Sequence, residues 1–170
     1  MTEKFHTVPI GEIAASANLD DILVVYGLGS CVVICLYDPL ARVGGMLHAL
    51  LPGQAWSDNG NSNKGKPTKY VDRGLPLLVD ALVALGARQR RLAAHLCGGA
   101  RMINAPGFED ALNIGERNVL AAQAVLRVAG FRVKAEATGG QTGRTVKLYI
   151  ANGQVTVKTL GQTEEILNGK

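Results

Sequence analysis

The sequence predicts an α/β or α+β domain built on a mixed β-sheet. Three observations predict it. Strand-like apolar runs cluster toward both ends of the chain, two stretches carry helical periodicity, and the order is strands, helix, strand, helix, strands. A doubly wound parallel sheet would alternate strand and helix throughout. The length of 170 residues suits one domain with one core, so residues 1–170 are taken as a single unit.

Each element has its own signal. Residues 10–17 read as a short helical turn or an edge segment. Residues 22–26 are β-branched and apolar, which marks a buried strand. Residues 32–37 read the same way and end at the turn signal Asp38-Pro39. Residues 43–51 form a third such run, closed by Pro52-Gly53. Three short runs with tight punctuation suggest adjacent strands of one sheet. Residues 53–67 are polar and turn-rich, as in a surface loop.

A helix follows over residues 69–85, where Val71, Leu75, Leu78, Val79, Leu82 and Leu85 share one face and Gly86 is a natural stop. Pro76 inside it predicts a kink or a restart. Residues 92–97 are a strand ended by Gly98-Gly99. Asn113 with Glu116 three residues later opens a second helix that runs to Val128, with Gly130 as its stop. Residues 131–137, 145–151 and 154–160 are strands, the last two joined by an Asn152-Gly153 hairpin turn.

Composition narrows the function classes. Hydrophobic residues make up 47% and charged residues 19%, an ordinary globular balance. Net charge is +4 and spread along the chain. Its densest basic run, Arg88, Arg90 and Arg91, carries no interleaved aromatics. That reads as a solvated turn and not as a nucleic-acid platform. The start of the chain has no apolar signal region, and the most apolar stretch, residues 22–37, is interrupted by Gly27, Gly29 and Ser30. Neither secretion nor membrane insertion is expected.

The cysteines are Cys31, Cys35 and Cys97, an odd and low count that argues against a disulfide framework. On one strand Cys31 and Cys35 would stand about 13 Å apart, beyond the reach of about 7 Å for a disulfide. The compartment reads as reducing cytoplasm. No Cys-x-x-Cys or His-x-x-x-His spacing occurs, so no metal is expected.

The chemistry concentrates at Gly27-Leu28-Gly29-Ser30-Cys31. A dinucleotide fingerprint fails there, because Val32 stands where a third glycine belongs and a strand follows in place of a helix. A cysteine hydrolase fits better. Small residues before a nucleophilic cysteine let backbone approach a substrate amide, and N–H groups near Gly29, Ser30 and Val32 can hold an oxyanion. A free cysteine alone is more often a core residue, so Cys31 needs a base.

His48 is the candidate. It lies in an otherwise apolar run, and strand alternation puts Met46, His48 and Leu50 on one face. A hairpin turning at Asp38-Pro39 brings the start of one strand near the end of the next. Cys31 and His48, 17 residues apart, are those positions. His95 and Cys97 form a rival pair on one strand, followed by Gly98-Gly99, another place for a ligand to approach. Side chains two apart diverge, so a short hydrogen bond is not expected there. His6 carries no assigned role.

These residues resemble the chemoreceptor glutamine deamidase family, CheD. The similarity runs through Gly27–Val33, Tyr37-Asp38-Pro39 and Gly44–Pro52. It continues in Lys69–Asp72, Gly98-Gly99-Ala100, Asn113–Asn118 and Thr138-Gly139-Gly140 with Arg144, covering about residues 20–150. The resemblance implies mixed β-sheets with helices packed on one side, a fold shared with certain deamidating bacterial toxins. It implies hydrolysis of receptor glutamine side chains to glutamate, with Cys31 as nucleophile, His48 as base and no cofactor. It also implies a cytoplasmic protein whose partners are helical cytoplasmic regions of chemoreceptors and, in some lineages, the CheC phosphatase; a monomer is assumed.

There are two departures. The family often carries a threonine six residues before the cysteine to orient the histidine, and here that residue is Val25, so either another group such as a backbone carbonyl orients His48 or the base is less well tuned. Ala137 stands where an acidic residue is common. Two other functions remain open at this point: a binding module that regulates a phosphatase, and a cysteine hydrolase of receptor methyl esters.

Overall fold

The structure, a computed structural model, describes residues 2–53, 65–102 and 113–168. Their order is β1 (Lys4–Thr7), β2 (Glu12–Ser16), β3 (Asp21–Leu28), β4 (Val32–Asp38), β5 (Val43–Ala49), α1 (Val71–Ala84), β6 (Ala93–Gly98), α2 (Ile114–Val128), β7 (Arg132–Thr138), β8 (Arg144–Tyr149), β9 (Val155–Thr159) and β10 (Glu164–Ile166). The strands form two five-stranded sheets, β1-β3-β8-β9-β10 and β2-β5-β4-β6-β7. Each is mixed: β1 runs parallel to β3 and β6 parallel to β7, while the other pairs are antiparallel. The α+β expectation holds.

The second sheet has two covered faces. Val32, Ile34 and Leu36 of β4 join the core of α1 and α2, with Leu75, Leu78, Leu82 and Leu126. Val33 and Cys35 point the other way, into the core shared with Val25, Val146 and Leu148 of the first sheet. Burial on both faces is why β4 reads as a continuous apolar run without alternation.

Some expectations are corrected. The three N-terminal apolar runs are not neighbours in one sheet: β3 belongs to the first sheet, β4 and β5 to the second. A register shift falls between Val25 and Leu28, with Gly27 at φ 62°, and the chain leaves the first sheet only after Leu28, which still pairs with Arg144. An apolar run says that a strand is buried but not which sheet it joins. Of the two readings of residues 10–17 the edge segment holds, as the edge strand β2. Helix α1 passes through Pro76 without a restart. The bond Pro76 removes would have gone to the Asp72 carbonyl, and both residues lie on the exposed side, where water can replace it. Asn113 precedes α2 as expected, yet its side chain makes no capping bond. The short exposed strands β1 and β10 carry no apolar run and have no sequence counterpart. Of the expected loop at residues 53–67, residues 54–64 lie outside the described residues.

The turn after β4 is more than punctuation. Asp38 is fully buried and accepts hydrogen bonds from the N–H groups of Leu40, Ala41 and Arg88 and from Arg91 Nε. Arg91 Nη2 completes the ion pair at 2.7 Å. Arg91, expected as part of a solvated turn, is instead tied to the β4–β5 hairpin. Burial opposes the Asp38 charge, but Arg91 and the three N–H groups outweigh it and hold the carboxyl well below the usual carboxylate range.

Asp38→Ala is therefore expected to cost about 3 kcal/mol, the lower end for a broken buried pair because Arg91 keeps some solvent contact. Urea unfolding measures this. A depressed folded pKa adds stability above the unfolded value of about 3.9, and that stability is lost as pH falls below it. The gap between wild type and variant should narrow below that pH; a gap that stays constant would contradict the assignment.

Candidate active site

Cys31 sits just before β4, at the end of the second sheet where the chain enters from the first. Its turn rests against the end of β6. The Gly99 N–H donates to the Cys31 carbonyl at 2.8 Å, and the Ala100 N–H donates to the Gly29 carbonyl at 2.9 Å. Gly98 has φ 109°, and a Cβ there would lie 2.2 Å from the Cys31 carbonyl oxygen. The glycine pair thus serves to seat one backbone on another, in place of the ligand approach that the sequence suggests.

His48 comes from β5. The register pairs Val33 with His48 and Val32 with Ala49. Cys31 is therefore the diagonal neighbour of His48 on one face, at a backbone spacing of about 7 Å. Met46 and Leu50 share that face, as alternation predicts.

The ring is oriented from an unexpected direction. His48 Nδ1 donates to the Val8 carbonyl at 3.0 Å. A carbonyl only accepts, so Nδ1 carries the proton and the Nε2 lone pair is left as base. Val8 reaches this place by extending the β1–β3 ladder one residue: its N–H bonds the Val24 carbonyl at 2.9 Å. Pro9 then turns the chain away, and the Val8 oxygen is left for His48. The carbonyl arrives beside Val25, the position without a hydroxyl.

Burial favours the neutral form of both groups. Burial pushes the Cys31 thiol up, partly offset by its own backbone N–H. Burial lowers His48, partly offset by the Val8 carbonyl. Their side chains make no hydrogen bond to one another among the described residues. The arrangement is a thiol on the same strand face as an imidazole, the residue types that a cysteine hydrolase needs.

The remaining sequence candidates separate. The Gly29 carbonyl is taken by Ala100 and the Ser30 carbonyl by Asn118. Val32 lies inside β4, paired with both Ala49 and Gly98, and its side chain faces the helices. The Cys31 N–H has no backbone acceptor among the described residues. His95 and Cys97 face the core between the sheets, opposite Cys35 and Val33. Cys97 is completely buried, and desolvation pushes its thiol up to about 12, so little thiolate is available to it. Burial, with Lys134 adding to it, lowers His95 below its ordinary value, partly offset by the Leu167 backbone. His6 bonds Asp21 at 2.9 Å.

Two contributors escape sequence reasoning. A carbonyl such as Val8 has no residue signature. Asn118 does have one: it is a polar residue on the apolar face of α2, beside Val119, Ala122 and Leu126.

Comparison with known proteins decides the family. The family model described as CheD chemotactic sensory transduction matches residues 50–159. "Probable chemoreceptor glutamine deamidase CheD" of Symbiobacterium thermophilum is 43% identical over 96% of this chain and 98% of its own length. This chain belongs to the CheD family. The "Chemoreceptor glutamine deamidase CheD" of Thermotoga maritima is 40% identical over 94% of each chain. The CheD match begins just beyond His48. Among solved structures, the Bacillus licheniformis hypothetical protein YfiH is similar over 81% of this chain and 60% of that one, with TM-score 0.42 and 14% identity. No helix among the described residues is long and apolar enough to cross a membrane.

Proposed function

We propose that this CheD chain deamidates glutamine side chains on chemoreceptors, with Cys31 as nucleophile and His48 as base. The observation that carries the reading is the anchored His48 ring, with Nδ1 on the Val8 carbonyl and Nε2 without a hydrogen-bond partner among the described residues, on the same strand face as Cys31. The names of the full-length relatives support the substrate.

In the reaction, His48 Nε2 takes the thiol proton as Cys31 Sγ attacks the carboxamide carbon. Backbone N–H groups of the Gly29–Val32 turn, the Cys31 N–H foremost, receive the oxyanion. The C–N bond breaks, the His48 proton goes to the departing nitrogen, and ammonia leaves a thioester. Water gives its proton to His48 and attacks the thioester; the C–S bond breaks and the proton returns to sulfur. Glutamate and the free thiol result. The scheme draws on no cofactor. Each turnover adds one negative charge to a receptor helix. The setting is the cytoplasm, the enzyme acts as a monomer, and a CheC phosphatase is a second partner.

The test is the mass of a matching receptor cytoplasmic fragment, mapped by peptides, before and after incubation. Conversion of amide to acid at defined glutamines is the expected result. Methanol release from a methylated fragment, with glutamines untouched, would favour ester hydrolysis. A fragment left unchanged by well-folded protein would favour the binding module.

A further inference from the structure

We infer that Asn118 is a positioning residue that aims the Cys31 backbone N–H at the reacting carbonyl. The inference rests on the deamidase reading above. It begins with the first turn of α2. A Cβ on Gly115 would lie 2.7 Å from the carbonyl oxygens of both Gly99 and Ala100. Glycine there lets the helix lie directly on the turn that holds Cys31. One helical turn on, Asn118 is wholly buried.

Its Nδ2 donates to the Ser30 carbonyl at 2.9 Å and to the Leu50 carbonyl at 3.0 Å. One amide therefore ties the residue before the nucleophile to the end of the strand that carries the base. Asn118 Oδ1 has no hydrogen-bond partner among the described residues. The side chain thus serves two backbone carbonyls with one amide, at the cost of an acceptor that no described residue meets.

The peptide plane transmits the effect. In a trans peptide the C=O of Ser30 and the N–H of Cys31 point in opposite directions. Holding the Ser30 oxygen on Asn118 turns the Cys31 N–H away from α2. That N–H has no backbone acceptor among the described residues, and it lies close enough to its own sulfur to favour the thiolate. The next peptide is held too, by the Gly99 N–H on the Cys31 carbonyl. An amide carbon bonded to Cys31 Sγ carries its oxyanion within reach of this N–H.

The experiment compares wild type with Asn118→Leu on two reactions. One is deamidation of the receptor fragment, which builds an oxyanion. The other is alkylation of Cys31 by iodoacetamide, a displacement at a CH2 group that builds none. Expected is a fall of kcat by about 10–100-fold, with KM and the alkylation rate each within about 3-fold of wild type. An unchanged kcat overturns the inference. So does an equal loss in both reactions, which would mean general displacement of the turn.

Should Asn118→Leu fail to melt cooperatively by circular dichroism, Asn118→Ala is read the same way. Loss of the fold in both would make Asn118 a core residue and overturn its positioning role. Wild-type turnover separates the two levels. Its absence rejects the deamidase reading and this inference together; its presence with unaltered variant kinetics rejects the role of Asn118 alone.

Discussion

Cys31→Ala should abolish turnover of the receptor fragment, a loss of at least about 10⁴-fold in kcat, the scale on which removal of a nucleophile acts. Sulfur forms the bond to the substrate carbon in this mechanism, and alanine has nothing to put in its place. The two other cysteines provide the controls. Cys35 is buried within β4, with its thiol raised well above the ordinary range by desolvation and by Cys97. Cys97 is equally enclosed. Cys97→Ala should therefore keep near-wild-type turnover. Ammonia release and peptide mass report both variants. Turnover surviving in Cys31→Ala, or lost only in Cys97→Ala, would remove Cys31 from the mechanism and return attention to the His95–Cys97 strand.

His48→Ala should lower kcat by about 10²–10⁴-fold, the usual contribution of general acid–base catalysis. The pH profile carries the sharper test. His48 works as a base only when neutral, and burial lowers its pKa from the ordinary 6.5. The acid limb of wild-type kcat/KM should therefore lie below that of a free imidazole. On the alkaline side, burial raises the Cys31 thiol above 9.0, so free thiolate is scarce around neutrality. Wild type should hold a plateau between these limits, because His48 removes the proton during attack. His48→Ala lacks that route and depends on thiolate formed by the solvent, so its residual rate should climb with pH through the raised thiol pKa. A variant with the wild-type plateau would show that another group is the base.

How much of this site is legible in sequence depends on the separation of its parts. Cys31 and His48 belong to one hairpin, and the turn at Asp38-Pro39 sets its register. Strand alternation then puts both on one face by counting. The orienting group is 40 residues from His48 in sequence, and it is a main-chain atom. Val25 advertises a missing hydroxyl, and the substitute could not be named from residue types. The Ser30–Asn118 bond spans 88 residues. Helical periodicity marks Asn118 as a polar residue at a core position, but not the carbonyl it meets.

The sequence by itself determined the buried strands β3, β4 and β5, the two helices and their stops, and the placement of Cys31 and His48 on one strand face. All of these follow from local periodicity and turn chemistry, which act over a few residues. Only the tertiary structure decided that β3 and β4 belong to different sheets, that Arg91 closes on Asp38 from 53 residues away, and that Gly98 and Gly99 face the backbone of Cys31. The physical reason is that an apolar pattern specifies how much of a segment leaves water, whereas its partners are chosen by the packing of the whole chain. The Val8 carbonyl and the Asn118 amide reach the dyad only after both sheets and α2 have come together.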